Sequence, residues 1–143
     1  MMYVLDSSVG VKWAIIEQDT DKARKLRDEY RNAIVELIAP DVFPYELAHE
    51  FTRAERQGRL QPREALQLLA DIVKVLPVLH PGFPLLPRAA ELSSQARIGF
   101  YDCIYIALAE REHCRVVTAD QRLVNTFPAQ TISLSSLVPA QEN

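Results

Sequence analysis

The chain has 143 residues, which is the size of one domain and is enough to bury a single hydrophobic core. Apolar residues make up 48% of the sequence and charged residues 24%, as in an ordinary globular protein, and no apolar run approaches the roughly 18 residues that a membrane span requires. The net charge of −3 does not indicate a protein that binds nucleic acid through its overall charge.

The first half of the chain alternates short apolar runs with longer amphipathic segments. Met2 to Leu5 has the pattern of a buried strand, and Val35 to Ala39 has the pattern of a second strand that Pro40 ends. Capping residues, a terminal glycine and a first-turn proline define the helices. The predicted helices run from about Val9 to Glu17 after a cap at Ser8, from a cap at Asp19 to about Arg31, from Asp41 to Gly58, and from Pro62 to about Val75.

The second half continues the alternation after an irregular connection. Val75 to Leu79 is predicted as a third strand, although Pro77 interrupts it, and prolines are dense from Pro77 to Pro87. The remaining predicted elements are a helix from Leu85 to Ala96, a helix from Tyr101 to Glu112, a strand from Arg115 to Thr118, a helical turn from Gln121 to Asn125 and an edge strand at Thr131 and Ile132. Because helices separate the strands, the sequence predicts an α/β fold with a parallel sheet between two layers of helices.

Four acidic residues lie at the ends or edges of segments that are predicted to be buried. Asp6 follows the first strand and Asp120 follows the fourth, at the carboxyl ends where parallel sheets bind ligands. Asp102 begins the apolar segment 103–109, and Glu46 lies at the edge of an apolar helix stripe. Because an unpaired buried charge is costly, we interpret the four acids as one site for divalent cations, and an all-oxygen ligand set favours Mg²⁺ or Mn²⁺.

Each acid also has a local explanation that does not involve the others. Asp6 can cap the helix that follows it, Asp120 can form a turn or a cap, and the charge of Asp102 suits a helix start. Glu46 can be a boundary residue that pairs with an arginine. Glu50, one turn further along the helix, lies on the apolar stripe itself and is an alternative to Glu46.

A site of this kind can hydrolyse a phosphodiester without a protein nucleophile, because a metal-bound water can attack and a second ion can stabilise the leaving oxygen. Other chemistries lack their residues. The sequence has no Gly-x-Ser-x-Gly motif, and its four glycines cannot form a phosphate loop or a dinucleotide fingerprint. A phosphatase of the haloacid dehalogenase type needs a second aspartate two residues after Asp6, where this chain has Ser8.

Candidates for contact with nucleic acid are less specific. Trp13, Tyr101 and Tyr105 can stack on bases, although Trp13 suits core packing better. Four arginines form either a local basic strip or a solvated helix face with interspersed glutamates: Arg53, Arg56, Arg59 and Arg63.

The cysteines and the N-terminus bear on the compartment. Cys103 and Cys114 give neither a disulfide framework nor a Cys-x-x-Cys zinc motif. The first residues enter a strand directly, without the basic region or cleavage site of a signal peptide. We therefore expect reduced core thiols and a cytoplasmic location.

Four short motifs, in this order, resemble those of a PIN domain, in particular the small single-domain ribonucleases of the VapC toxin type. The similar segments are Val4–Ser8, Ala39–Pro40 with Tyr45–Ala48, Tyr101–Glu110, and Val117–Asp120. One such motif carries little information, but four in order at suitable spacing are specific, and the resemblance covers nearly the whole chain. It implies a single PIN domain over residues 1–143, folded as a three-layer α/β/α sandwich around a mainly parallel sheet of four to five short strands.

The resemblance implies an endoribonuclease that depends on Mg²⁺ or Mn²⁺, with one or two ions at an acidic cluster. The residues of that cluster would be Asp6, Glu46, Asp102 and Asp120. Ser8 and Thr118 match hydroxyl positions that support the cluster in the family. His49 stands where the family commonly has a small amide such as Asn.

The resemblance also implies partners. VapC toxins usually dimerise and are silenced by an antitoxin whose C-terminal segment lies across the site, so a homodimer, a cognate antitoxin and an RNA substrate are expected. Arg53, Arg56 and His49 are weaker candidates for RNA contacts. Two alternatives stay open: a non-catalytic module of the same fold that binds RNA or a protein, and a PIN nuclease of RNA processing rather than a toxin.

Overall fold

The computed structural model describes residues 1–138, which form five strands and seven α-helices. The strands are β1 (Met2–Leu5), β2 (Glu36–Pro40), β3 (Val78–His80), β4 (Arg115–Thr118) and β5 (Thr131–Ser133). The helices are α1 (Ser7–Ala14), α2 (Thr20–Arg31), α3 (Phe43–Arg56), α4 (Glu64–Ile72), α5 (Leu86–Ala96), α6 (Phe100–Glu112) and α7 (Gln121–Thr126). None of the helices in this part of the chain is long and apolar enough to cross a membrane.

The five strands form one sheet in the order β3-β2-β1-β4-β5, and every neighbouring pair is parallel. Helices α1 to α4 connect β1 to β2 and β2 to β3, so the chain moves towards one edge of the sheet. Helices α5 to α7 connect β3 to β4 and β4 to β5, so the chain then moves towards the other edge. Because crossovers between parallel strands are right-handed, the two groups of helices cover opposite faces. Helix α1 packs on α2 and α3, while α5 packs on α6, which lies against β1, β2 and β4. The predicted three-layer α/β/α sandwich is confirmed.

The chain reverses its direction across the sheet between β1 and β4. From β1 it proceeds to β2 and β3 on one side, and it then returns to place β4 on the other side of β1. The register pairs Leu5 with Val117, and the Asp6 N–H donates to the Val117 carbonyl at 3.1 Å, so Asp6 and Thr118 are neighbours. Connections diverge at such a point and leave a crevice at the carboxyl ends of the strands. The topology therefore brings an acid and a hydroxyl to the binding edge.

Strands β1 and β4 and helix α6 form the centre of the core. Leu5, Val116 and Val117 are fully buried, and every residue of α6 from 103 to 109 is buried. Helix α6 lies between the sheet and α5, so it has no broad solvent face. This position explains why its sequence is apolar on nearly all sides.

Two of the three aromatic residues that could stack on bases are in the core. Trp13 is buried and donates its indole N–H to the Ala23 carbonyl at 2.9 Å, and Tyr105 is also buried. Tyr101 is exposed. The interpretation of Trp13 as a core residue is confirmed, and a stacking role for Tyr105 is wrong because its ring is covered.

Helices α1 and α3 approach each other closely at Gly10. A Cβ atom at this position would lie 2.7 Å from Cζ of Phe43, closer than packed carbon atoms lie. Phe43 is itself fully buried. The glycine therefore sets the separation of the two helices that carry Ser7 and Glu46.

Helix α3 begins two residues later than the sequence predicts. Asp41 continues the pairing of β2 with β3 instead. Its N–H donates to the His80 carbonyl at 2.9 Å, and its carboxylate accepts the Gly82 N–H at 3.1 Å. Pro44 lies in the first turn, where its missing N–H costs no hydrogen bond. The helix ends shortly before Gly58, whose φ of 76° is a conformation that favours glycine.

The boundaries around α4 and β3 also differ from the prediction. Helix α4 begins at Glu64 rather than at Pro62, because the Glu64 carboxylate reaches back to accept the Gln61 N–H at 2.8 Å. A 3₁₀ turn that ends at Val75 continues the helix. The strand forms only after Pro77, whose ring nitrogen cannot donate to a neighbouring strand.

The predicted helix cap at Ser8 is wrong, and the predicted cap at Asp19 is correct in position only. Ser8 lies inside α1, and its hydroxyl donates to Asp6. Asp19 has a left-handed φ of 63° and makes no side-chain cap bond. The Thr20 hydroxyl accepts the Glu17 N–H at 2.8 Å instead, which holds the turn before α2.

Candidate active site

Asp6 is the buried centre of the site, at the carboxyl end of β1, with an exposed fraction of 5%. One carboxylate oxygen, Oδ2, accepts hydrogen bonds from the Ser8 hydroxyl at 2.5 Å and the Thr118 hydroxyl at 2.8 Å. Burial raises the pKa of the Asp6 carboxyl, and the two hydroxyls oppose that rise because they stabilise the charged form. Ser8 and Thr118 therefore orient Asp6 and favour its ionisation.

The same hydroxyls hold the turn that follows β4. Ser8 Oγ accepts the Ala119 N–H at 3.0 Å, and Thr118 Oγ1 accepts the Asp120 N–H at 3.0 Å. Thr118 is fully buried. The network joins the start of α1 to the end of β4 and so positions Asp120 relative to Asp6.

Asp102 and Asp120 both lie near the guanidinium of Arg122. Asp120 caps α7, because its Oδ1 accepts the Arg122 N–H at 3.0 Å. The Arg122 guanidinium is 3.3 Å from Asp102 Oδ2 and 3.8 Å from Asp120 Oδ2. Burial and then the charge of Asp120 raise the pKa of Asp102, and Arg122 opposes them. The predicted cap at Asp120 is confirmed, and it does not prevent the second oxygen from facing Asp102 and Arg122.

Glu46 reaches the site from the first turn of α3. Its Oε1 accepts a hydrogen bond from the Tyr105 hydroxyl at 2.6 Å. The pKa of Glu46 is raised to about 6, chiefly by burial and also by the charges of Asp6 and Asp102, while the Tyr105 hydrogen bond opposes the rise. The hydrogen bond from Tyr105 therefore fixes Glu46 on the side of α3 that faces α6.

Glu50 is the competing acid on α3. It pairs with Arg53, with 3.5 Å between Oε1 and Nη1, whereas none of the ion pairs within residues 1–138 includes Glu46. The alternative explanation, in which Glu46 pairs with an arginine, is therefore wrong, and it applies to Glu50 instead. Glu50 still lies at the edge of the site, on the wall of the cavity described next.

An open cavity of about 340 Å³, which we call the acidic cavity, lies at the carboxyl ends of β1 and β4. The carboxylates on its wall belong to Asp6, Glu17, Glu50, Asp102 and Asp120. Lys12 also lines it, and its ammonium group is 3.4 Å from Glu17. Negative charge therefore exceeds positive charge on the wall.

The donor atoms of the acidic cavity suit a hard divalent cation, because carboxylate and hydroxyl oxygens are the ligands of Mg²⁺ and Mn²⁺. Within residues 1–138, no three Asp, Glu, His or Cys side chains are grouped closely enough to ligate one ion. Like charges repel, and Arg122 lies beside two of the acids, so the carboxylates are spread over the wall. The residues fit the ion in chemistry, and the acids would have to rotate inwards to bind it.

A second cavity of about 470 Å³, which we call the tyrosine cavity, adjoins the acidic cavity. The residues on its wall are Ser7, Val42, Tyr45, Glu46, His49, Glu50 and Tyr101. Ser7 and Glu50 line both cavities. The two cavities are therefore neighbours on the same face of the protein.

The predicted RNA contacts fall on one side of α3. His49 lines the tyrosine cavity, while Arg53 and Arg56 are exposed further along the helix. At about 100° per residue, the three positions lie within about 60° of one another. They form a path that leads away from the acidic cavity.

Four residues at the site were missed by the sequence reasoning: Lys12, Glu17, Tyr45 and Arg122. Tyr45 directly precedes Glu46, and Arg122 follows Asp120 by two residues. Their closeness in sequence to a predicted site acid is the signal that could have identified them. Lys12 follows Ser8 by one helical turn and therefore faces the same cavity.

Known proteins share both the sequence pattern and the fold. The PIN domain family model matches residues 3–126. Ribonuclease VapC3 of Pyrobaculum aerophilum is 28% identical over 131 residues, which cover 90% of this chain and 97% of that protein. Ribonuclease VapC9 of Mycobacterium tuberculosis is 32% identical over 94 residues, which cover 66% of this chain and 72% of that protein.

Two crystal structures have the same fold at low sequence identity. PAE2754 from Pyrobaculum aerophilum superposes with a TM-score of 0.70 at 22% identity, covering 95% of this chain and 94% of that one. VapBC2 from Rickettsia felis, bound to a DNA fragment from their promoter, superposes with a TM-score of 0.63 at 14% identity, covering 93% and 98%. The structural likeness shows the fold alone, whereas the family model matches the sequence over residues 3–126. This chain therefore belongs to the PIN-domain family.

Proposed function

We propose that this protein is an endoribonuclease that depends on Mg²⁺ or Mn²⁺ and acts as the toxin of a toxin–antitoxin pair. The observation that carries the proposal is the position of three acids, Asp6, Asp102 and Asp120, on the wall of the acidic cavity, with Glu46 on the wall of the adjoining tyrosine cavity. A buried carboxylate costs free energy unless a positive charge offsets it, and a divalent cation supplies such a charge.

Asp6 and Asp102 are the proposed direct ligands, and Glu46 and Asp120 complete the site, directly or through water. When bound, one or two such ions lower the pKa of a water molecule and stabilise the leaving oxygen of a phosphodiester. Both supporting hydroxyls bind Asp6 Oδ2, which leaves Oδ1 for a ligand.

Arg122 is the residue that must move when an ion enters. Its side chain is 65% exposed and lies beside Asp102 and Asp120, so a cation held by these acids would displace the guanidinium towards solvent. A guanidinium at that position can pair with a phosphate oxygen in two hydrogen bonds. We propose that Arg122 then helps to hold the RNA backbone.

The names of relatives support the choice of substrate and partner. Two of them are called VapC ribonucleases, and the Rickettsia felis structure is a VapBC2 complex. We extend the proposal from these proteins to an RNA substrate, a cognate antitoxin and a homodimer for this chain. Light scattering of the purified protein, alone and with the product of a small neighbouring gene, tests the last two.

The central test is cleavage of a mixed-sequence RNA by the purified protein with Mg²⁺, with Mn²⁺ and with EDTA. Cleavage should require the metal, and Asp6→Asn should abolish it while the variant stays folded, because the neutral amide is a poor ligand that keeps the hydrogen bonds to Ser8 and Thr118. Asp21→Asn is the matched control, since Asp21 is an exposed aspartate in the first turn of α2.

Wild-type cleavage rates in Asp6→Asn would contradict the site assignment. Calorimetric titration with Mn²⁺ separates the remaining possibilities. Uptake of Mn²⁺ that depends on Asp6, without cleavage of any RNA, would refute nuclease activity. Neither uptake nor cleavage would favour a non-catalytic module that binds RNA or a protein.

A further inference from the structure

Two tyrosine rings are exposed beside the acids although the core accommodates other aromatic residues fully. Tyr45 is 76% exposed in the first turn of α3, and Tyr101 is 60% exposed in the first turn of α6. The Phe100 ring contacts Tyr101 in an edge-on arrangement, with ring centroids 5.8 Å apart and planes at 71°, which restrains the Tyr101 ring. An aromatic ring that is both exposed and restrained is a preformed stacking surface.

The tyrosine cavity has the size and composition of a site for a small planar group. Its volume of about 470 Å³ lies in the range of roughly 300–1,000 Å³ that is usual for small-ligand sites. Besides the two rings, the wall carries Val42 and the polar side chains of Ser7 and His49. Stacking surfaces combined with donors and acceptors are what an unpaired nucleobase needs, because its faces are aromatic and its edges form hydrogen bonds.

The position of the cavity favours a nucleobase over an acidic protein side chain. Ser7 and Glu50 line both cavities, so the tyrosine cavity lies beside the acids, where the nucleotide next to a phosphate at the acids would lie. Arg56 lies further along α3 than the cavity, beyond the Arg53–Glu50 pair, and its positive charge suits a following phosphate. Glu46 and Glu50 on the same wall disfavour the side chain or terminus of an acidic peptide.

We propose that the tyrosine cavity holds one unstacked base of single-stranded RNA between Tyr45 and Tyr101, next to the bond that is cut. The proposal rests on the proposed nuclease function and adds to it a subsite that binds one base, together with the two residues that form this subsite. Tyr45 and Tyr101 are then binding residues that determine substrate choice, and the acids determine the chemistry. Duplex RNA, whose bases remain stacked, cannot fill the cavity.

Binding of fluorescein-labelled oligonucleotides, measured by anisotropy in EDTA, tests the proposal without cleavage. The probes are short oligo(U), oligo(A) and a duplex of the same length. Tyr45→Ala and Tyr101→Ala should each weaken binding of a single-stranded probe by about 5- to 100-fold, since stacking on one aromatic ring contributes that much. Tyr45→Phe and Tyr101→Phe should bind within about threefold of the wild type, because phenylalanine retains the stacking face.

Phe83→Ala is the matched control, since Phe83 is 82% exposed and lines neither cavity. A series of single-stranded probes, each with one abasic nucleotide, locates the bound base. One position in the series should lower the affinity of the wild type by at least as much as either alanine substitution does. That position should have a smaller effect in Tyr101→Ala, because this variant retains only the contact between the base and Tyr45.

Several outcomes would overturn the base site. These are wild-type affinity in both alanine variants, equal weakening by Phe83→Ala, no abasic position that matters, or no binding of any single-stranded probe by the wild type. If Tyr45→Ala and Tyr101→Ala also cleave RNA at the wild-type rate, the nuclease function is retained and the tyrosine cavity is a site for a protein side chain instead. Conversely, tyrosine-dependent RNA binding together with undiminished cleavage in Asp6→Asn would refute the metal site and retain the base site.

Discussion

The acidic cavity and the tyrosine cavity share Ser7 and Glu50 but are built from different parts of the fold. The acidic cavity is based on the buried ends of β1 and β4, where Asp6 accepts two hydroxyl hydrogen bonds. The tyrosine cavity is formed by the first turns of α3 and α6, and its two rings are exposed. One cavity is fixed by the core, and the other is formed by side chains that the core does not require.

This difference indicates how the two cavities tolerate change. A substitution below the acids alters hydrogen bonds that also support the fold, so chemistry and stability change together. A substitution of an exposed tyrosine changes only what can be bound. Substrate choice can therefore vary while the acids and their supports stay the same.

The largest effect is expected from Glu46 on α3, and comparison with Glu50 on the same helix tests which of the two glutamates takes part in the chemistry. Glu46→Gln should lower kcat/KM for RNA cleavage by about 100-fold or more, since it removes a charge that is coupled to Asp6 and Asp102. Glu50→Gln should lower it by less than about fivefold, because Glu50 is partly exposed and Arg53 offsets part of its charge. The reverse order in metal-dependent cleavage assays would make Glu50 the fourth acid of the site.

A smaller effect is expected from the hydroxyl beneath Asp6. Thr118→Val keeps the shape but removes a donor to Asp6 and an acceptor for the Asp120 N–H, so Mn²⁺ affinity and cleavage should fall by about 10- to 100-fold. Thr131→Val is the control, because Thr131 is equally buried on β5 and bonds only the Phe127 carbonyl.

Both threonine variants should lose about 1–3 kcal/mol of unfolding free energy in urea titrations. Only Thr118→Val should lose activity beyond what its stability explains. Equal losses of activity in the two variants would mean that the hydroxyl supports the fold alone.

The smallest effect is expected from Arg122. Arg122→Ala should tighten Mn²⁺ binding by about two- to fivefold in calorimetry, because it removes a positive charge near Asp102 and Asp120 that is largely screened by solvent. Arg111→Ala, which removes an exposed arginine that pairs with Glu112 on the same helix as Asp102, should leave the affinity unchanged. Weaker Mn²⁺ binding in Arg122→Ala would show that the guanidinium supports the acids rather than competing for them.

Periodicity and punctuation were enough to predict the order of the elements and the parallel sheet. β1, β4 and α7 agree with the predicted ranges to within a residue. The errors concentrate where a side chain or a sheet contact replaces local preference. Asp41 is held by His80 and Gly82 from a distant segment, so helix signals alone placed the start of α3 too early.

The site was less predictable than the fold. Helix periodicity placed Glu46 and Glu50 equally well near the apolar stripe, and only the ion pair with Arg53 and the bond from Tyr105 distinguish them. Tyr101 and Tyr105 are alike in sequence, yet one lies at the free start of α6 and the other faces the core. Such differences depend on neighbours far away in the chain, which local patterns do not contain.

The sequence by itself determined the family, the strand and helix order, and the positions of Asp6 and Asp120 after two strands, because apolar periodicity and strand-end acids are local properties. Only the tertiary structure decided which groups meet. The parallel register of β1 and β4 places Thr118 beside Asp6, the turn into α7 brings Arg122 between two acids, and the meeting of α3 with α6 forms the tyrosine cavity. The reason is physical: hydrogen bonds and charges act over a few ångströms in space, whatever the separation of the residues in sequence.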